Sequence, residues 1–388
     1  MDSINIQDIF NRFYPDYLET YTPSAQQAKA ALHIINCKTG AYGSTISVCE
    51  DCGHIEFHHN SCRDRNCPMC QELPKEKWLD AQRECLLDTT YYHVVFTVPH
   101  DLNPLFYCNQ KELYGLLFHS AAETLLELSA DKKYLGAKPG FTSILHTWGS
   151  NMQYHPHLHI LLTGGGLAED GSWHEKKDNF FLPVKVVSRL FRGKFMAGLK
   201  ALEKNGTLSY AGLAENYHNH YEFQQLVEAC YKKEWVPFIK ESYAGAETVM
   251  EYIGRYTHRI AISNSRILSM DGESVTFRVK DYRNGGAFRE ERISGVEFIR
   301  RFLMHVLPKG FIKIRHYGLL GNRNKKSKIP LCRNLIGCLA YLSRLKGLDS
   351  GAILKQLYGL DIHKCPCCGG RIQIHKSRHG QDLHKKSG

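Results

Sequence analysis

The stretch 141-FTSILHTWG-149, followed after a short connection by 154-YHPHLHILLTGGG-166, decides how the chain reads. Both segments are apolar and alternating, and the intervening 150-SNMQYH-155 is long enough only for a tight reversal, so an antiparallel hairpin is expected. Because side chains alternate along a strand, His157, His159 and Leu161 share one face while Leu158, Ile160 and Leu162 enter the core. Two imidazoles at i and i+2 can chelate one divalent ion from a single rigid strand. The plainer alternative is a polar strip on an exposed strand, and H-x-H alone does not choose between them. Glycines 164–166 read as a loop after the strand, with close approach of a DNA backbone as the other possibility.

Working outward, 388 residues suffice for two or three domains. No apolar run approaches the length of a membrane span, and the start MDSINIQDIFNRF is unlike a signal peptide. A cytoplasmic, nucleoid-associated protein without a membrane partner is therefore expected. The net charge is +11, and its placement matters more than its size. From Phe298 to Leu348 there are twelve Lys or Arg and no Asp or Glu. Interleaved with Phe302, Phe311, His316 and Tyr317, that segment has the footprint of a nucleic-acid binder, with Arg300, Arg301, Lys313 and Arg315 as candidate phosphate ligands.

The cysteines are clustered, six of the fourteen lying between Cys37 and Cys70. C-x-x-C pairs in a reducing compartment point to metal rather than disulfides. Cys49-x-x-Cys52 and Cys67-x-x-Cys70 are separated by fourteen residues, close to the spacing of a four-cysteine zinc ribbon. Four thiolates select Zn2+ in a closed, structural shell. Cys37 and Cys62 are further candidates, and Arg63 and Arg65 add positive charge beside the knot. The late knuckle 364-KCPCCGG-370 offers a half-site with His375 or His379 and is left unassigned.

Helices are predicted over residues 1–36, over LPKEKWLDAQRECLLD, over KELYGLLFHSAAETLLELSA, near 185–203 and over GAETVMEYIGRYTHRI. YYHVVFTVPH reads as a strand, and SVTFRVKDYRNGGAFREERI as a hairpin turning at Asn284-Gly285-Gly286. Tyr252 and Tyr256 sit four apart on the last of those helices, so both phenols project from one face beside Arg255 and Arg259. Spacing alone is weak here, since Tyr17/Tyr21 and Tyr217/Tyr221 share it.

In order, a zinc knot, H-hydrophobic-H on a strand and Y-x-x-x-Y on a later helix resemble the two-tyrosine HUH rolling-circle transposases of bacterial insertion sequences. The blocks NSCRDRNCPMCQ, FTVPHDLNPLF, LHTWGSNMQYHPHLH, YIGRYTHRIAISNSRI and FIRRFLMHVLPKGFIKIRHYGLLG carry the resemblance along nearly the whole chain. One departure is Asn66, where that family often has histidine before the C-P-x-C knuckle. The resemblance implies a single-strand DNA endonuclease and strand transferase acting at insertion-sequence ends. It implies Mg2+ or Mn2+ at His157 and His159, nucleophiles at Tyr252 and Tyr256, and a third protein ligand. His146 on the preceding strand is favoured for that ligand, with Gln153 and His155 as rivals.

The expected architecture is α+β: a central antiparallel sheet in residues 89–297, an N-terminal zinc-ribbon-like module in 1–88 and a basic helical DNA-binding region in 298–388. No G-x-x-x-x-G-K-[ST] loop occurs, so any helicase is expected to come from the host. A rolling-circle plasmid replication initiator and a non-catalytic, zinc-dependent DNA-binding regulator are the competing readings.

Overall fold

A computed structural model describes residues 4–175, 182–242, 248, 254, 260–281 and 285–377. The expected hairpin lies at the centre of the fold. Strands β4 (Lys138–Trp148) and β5 (Tyr154–Leu167) pair antiparallel, with His146 opposite His157 and Ile144 opposite His159. β3 (Tyr91–Thr97) lies on the other side of β5, and β7 (Phe238–Ser242) lies beyond it. β11 (Ile314–Gly318) extends the sheet beside β4, and β6 (Trp173–Glu175) adds to the end of β5.

Alternation sorts the side chains as the sequence requires. Val94, Phe96, Leu145, Leu158, Ile160 and Leu162 are buried against helices α4 (Asn103–Cys108), α5 (Gln110–Ala130) and α6 (Val184–Lys204). On the opposite face Tyr91, Ile144 and Leu161 meet Trp78 and Leu79 of α3 (Glu72–Arg83). The histidines share that second face.

Glycines 164–166 are not a loop. They continue β5, because neighbouring atoms leave no room for a Cβ: at Gly165 it would strike the Trp173 indole, and at Gly166 it would lie 2.7 Å from the Lys138 carbonyl oxygen. The space beside them is filled by protein.

A second layer is built from distant parts of the chain. α1 (Ile6–Thr20) and α2 (Ala25–Ile35) each begin with a capping box, Asn5 with Asp8 and Ser24 with Gln27. Their apolar stripes pack with the helix Gly295–Leu303 and with the hairpin β9 (Ser274–Asp281) and β10 (Ala287–Ser294), which β8 (Ile267–Met270) extends beside β9. That hairpin is the predicted one, although Asn284 lies outside the described residues. A third sheet joins the two chain ends, β12 (Ile372–Ser377) pairing with β1 (Ser44–Cys49) and β1 with β2 (Ile55–His59).

Packing and strand pairing cross the expected boundaries at 88 and 297. The segment 298–388 is no free-standing helical region: its first helix belongs to the N-terminal layer, β11 to the central sheet and β12 to the N-terminal sheet. Among the described residues no helix is long and apolar enough to cross a membrane.

Candidate metal centres and nucleic-acid interface

His146, His157 and His159 each place a ring nitrogen within 4.8 Å of the others. The pairing of β4 with β5 brings them together, because His146 and His157 are direct cross-strand neighbours. The turn that sets this register is held from the second layer. His305 contacts the Met152 carbonyl oxygen at 3.0 Å, and its other ring nitrogen contacts the Thr147 hydroxyl at 3.0 Å. Arg301 donates to the Asn151 carbonyl at 3.0 Å, and Arg266 donates to that of Ser150.

The donor set suits a divalent cation. Nδ1 of His157 lies 2.6 Å from the His155 carbonyl oxygen, so it carries the proton and leaves the lone pair on Nε2. Nε2 of His157 faces Nε2 of His159 at 3.1 Å. Ligand bonds of about 2.1 Å at right angles put neighbouring donors about 3.0 Å apart, so this edge fits an octahedral ion. Nδ1 of His159 is 2.9 Å from Nε2 of His93, whose ring stacks on it. Burial pushes His157 down to about 3 and His93 and His155 down to about 4, and it drives His159 well below the usual imidazole value. These four rings are thus neutral near pH 7, the form that binds metal.

Of the rivals for a third ligand, His146 belongs to the cluster while also stacking on Trp148, 4.6 Å between ring centroids. His155 instead stacks on His100 at 4.9 Å, and Gln153 is exposed at the turn. His93 belongs to no motif that marks it in the sequence. Its place in YYHVVF, on the opposite face from Tyr92 and Val94, is the signal that could have found it.

Tyr252, Tyr256, Arg255 and Arg259 lie outside the described residues. Gly254, between the tyrosines, is described: it is helical, buried and so close to Leu79 that a Cβ would lie 2.9 Å from Cδ1. Leu79 in turn packs on Ile144 and Leu161 of the histidine face. A cleft of about 600 Å³ runs here, lined among others by Arg65, Gln71, Lys75, Arg83, Gly254 and Asn264.

The cysteines do not assemble as one ribbon of Cys49, Cys52, Cys67 and Cys70. The two knuckles part: Cys67 and Cys70 gather with Cys37 and Cys62, whereas Cys49 and Cys52 meet Cys365 and Cys368. The reason is topological. The turn after α2 delivers Cys37, and 60-NSCRDRNCPMC-70 folds back over it, while β1 carries Cys49 away toward the chain's end. Asn66 is no ligand; its side-chain amide and backbone N–H both donate to Asp64 at 2.8 Å.

Several candidate phosphate ligands have protein partners instead. Arg301 is buried between Glu291 and Glu297, and Arg300 pairs with Glu297 at 2.6 Å. Arg65 donates to the carbonyls of Pro308 and Phe311, fastening the first cysteine knot to the later chain. Arg315 lies over the Phe118 ring at 4.2 Å. Desolvation, with Arg65 nearby, brings Lys313 down to about 8. Tyr317 stacks on Phe141 and His316 contacts Thr142. Arg63 remains exposed, as do Arg323 and Lys326 near the start of the helix Lys325–Ile336.

Residues 9–98 match the family described as "Transposase zinc-binding domain", and residues 140–328 match that described as "Putative transposase". The chain is 42% identical over 367 residues to a "Putative transposase" of Sinorhizobium fredii, covering 94% of this chain and 92% of that protein. It is 28% identical over 355 residues to the "Transposase for insertion sequence element IS801" of Pseudomonas savastanoi pv. phaseolicola, covering 89% and 82%. No solved structure matches it. The first cysteine knot falls inside the zinc-binding match, and together they support a structural Zn2+. The protein is thus a member of the insertion-sequence transposase family of the IS91/IS801 type, with an N-terminal zinc-binding domain, and its substrate is DNA.

Proposed function

We propose that this transposase nicks and rejoins single-stranded DNA at the ends of its element through 5′-phosphotyrosine intermediates. The observation that carries the reading is the convergence of three imidazoles on a sheet face over which Gly254, flanked by Tyr252 and Tyr256, is packed through Leu79. His146, His157 and His159 would hold a Mg2+ or Mn2+ ion, which when bound would supply charge stabilisation at the scissile phosphate. Tyr252 or Tyr256 loses its phenolic proton and forms an O–P bond to the 5′ side of the break. The bond from phosphorus to the 3′-oxygen breaks, and that oxygen takes up a proton as a free 3′-hydroxyl. The covalent link conserves the phosphodiester bond energy, so rejoining needs no nucleotide. A second tyrosine permits a second cut while the first strand end is attached, as rolling-circle transposition requires. His93 orients His159, and His155 orients His157 through its carbonyl. Host helicase and replication proteins would supply the single strand, at the nucleoid.

The test is incubation of the full chain with a labelled single-stranded oligonucleotide spanning the element's ends, with Mg2+ or Mn2+. A covalent protein–DNA adduct is expected, lost in Tyr252→Phe/Tyr256→Phe and in His157→Ala. Binding without any adduct under either metal would instead favour a DNA-binding regulator.

A further inference from the structure

Two short segments at opposite ends of the chain share one pattern, C-x-x-C-G-x: 49-CEDCGH-54 and 365-CPCCGG-370. The pattern recurs in three dimensions. In the first, Gly53 has φ +69° and its N–H donates to the Cys49 carbonyl at 3.1 Å, while the Cys49 N–H donates to the His54 carbonyl at 2.9 Å. In the second, Gly369 has φ +75° and donates to the Cys365 carbonyl at 2.9 Å, while the Cys365 N–H donates to the Gly370 carbonyl at 2.8 Å. Both knuckles are therefore the same turn, each closed by a glycine in the left-handed region that other residues rarely adopt.

The two turns face each other. Cys49 Sγ lies 3.5 Å from Cys368 Sγ, and Cys52 Sγ lies 3.7 Å from Cys365 Sγ. A disulfide needs about 2.05 Å, so these are not bonded pairs. A tetrahedron of thiolates with Zn–S bonds of about 2.3 Å has edges of about 3.8 Å, which these separations match. Backbone N–H groups point at the sulfurs as they do around bound thiolates: Cys367 N to Cys365 Sγ and Gly370 N to Cys368 Sγ, each 3.4 Å. The knuckles sit so close that a Cβ on Gly370 would strike the Asp51 carboxylate. Few apolar side chains surround the pair; the cluster there is Cys49, Cys365, Ile372 and the half-buried Ile374. So small a core is the kind that relies on a metal for its fold.

We propose that Cys49, Cys52, Cys365 and Cys368 form a second, independent zinc site. It closes a zinc ribbon whose halves come from the two ends of the chain. Cys367, exposed and one residue off the knuckle register, is outside the shell. The site clamps β12 onto β1 after the tail has crossed α3. There the tail is fixed by Asp80, which accepts from Tyr341, Ser343 and the N–H groups of Arg344 and Leu345. The amino- and carboxy-terminal segments are thereby one module, and loss of the late knuckle unfolds part of the early one.

The proposal is tested on the full chain by measuring metal content by mass spectrometry. Two zinc ions per chain are expected. Cys365→Ser/Cys368→Ser should retain one, Cys37→Ser/Cys62→Ser should also retain one, and Cys367→Ser should retain two. Because the serine pair removes its own clamp, Cys368→His serves as a second variant that keeps a tetrahedral donor and should keep both ions. Trypsin should cut at Lys364 and Arg371 in the serine pair and spare them in the parent and in Cys368→His. One zinc in the parent chain, two in the serine pair, or iron in place of zinc at this site would each overturn the assignment.

Discussion

At the scale of single residues, the histidine cluster depends on groups outside the proposed metal shell. His93 holds Nδ1 of His159 at 2.9 Å and so decides which nitrogen faces the centre. Outer partners of this kind typically support metal affinity by about 10–100-fold. His93→Ala is therefore expected to weaken Mn2+ binding by about that range, read by spin-resonance titration, while the sheet stays folded. His305 acts differently. Buried between Thr147 and the Met152 carbonyl, it is brought down to about 4 by desolvation, below the free value of about 6.5. Below pH 6.5 the unfolded chain takes up a proton that the folded chain refuses. Its contribution to stability is thus complete above pH 6.5 and lost as pH falls toward 4, on the order of 3 kcal/mol. Urea denaturation between pH 7.5 and 4.5 should show that slope, and His305→Gln should flatten part of it. Both histidines are plain in the sequence, but only the tertiary contacts reveal that His93 meets the histidine cluster and His305 braces the turn.

Among the elements, period-2 alternation in β3, β4 and β5 and the apolar stripes of α1, α5 and α6 were legible because local patterning reflects which face is buried. The triglycine misled because glycine after an apolar strand usually signals a loop; here it marks a strand pressed against Trp173 and Lys138. Charge was equally deceptive in the helix Gly295–Leu303. Its arginines look solvent-facing in sequence, yet Arg301 bridges Glu291, Glu297 and the Asn151 carbonyl. Arg301→Ala removes the buried guanidinium that joins Glu291, Glu297 and the Asn151 carbonyl, while Glu297 keeps Arg300 and Glu291 keeps Arg289. It should cost about 2 kcal/mol in denaturation, with the salt dependence of DNA binding unchanged. Arg323→Ala/Lys326→Ala should do the reverse. Both are exposed, so stability should hold while the slope of log affinity against log salt shrinks by about 0.7 for each phosphate no longer neutralised.

For the whole molecule, the cysteine groups and the central sheet belong to different cores. Cys37 and Cys67 share a core with Phe10, Ile34 and Phe302, whereas the sheet core under α5 and α6 contains no cysteine of either tetrathiolate group. Chelating the metal is expected to expose residues 37–70 and 364–377 to protease first, leaving the segment Tyr91–Leu167 protected. Simultaneous loss of both regions in a time course would show that the layers are not independent. Sequence by itself determined the strands, the amphipathic helices, the facing histidines of β5 and the thiolate chemistry, since each is a property of residues a few positions apart. Tertiary structure alone decided which cysteines meet, which arginines are already paired, and that both chain ends form one sheet. Those depend on contacts between residues as far apart as Cys49 and Cys368, and no local period or spacing encodes a partner at that distance.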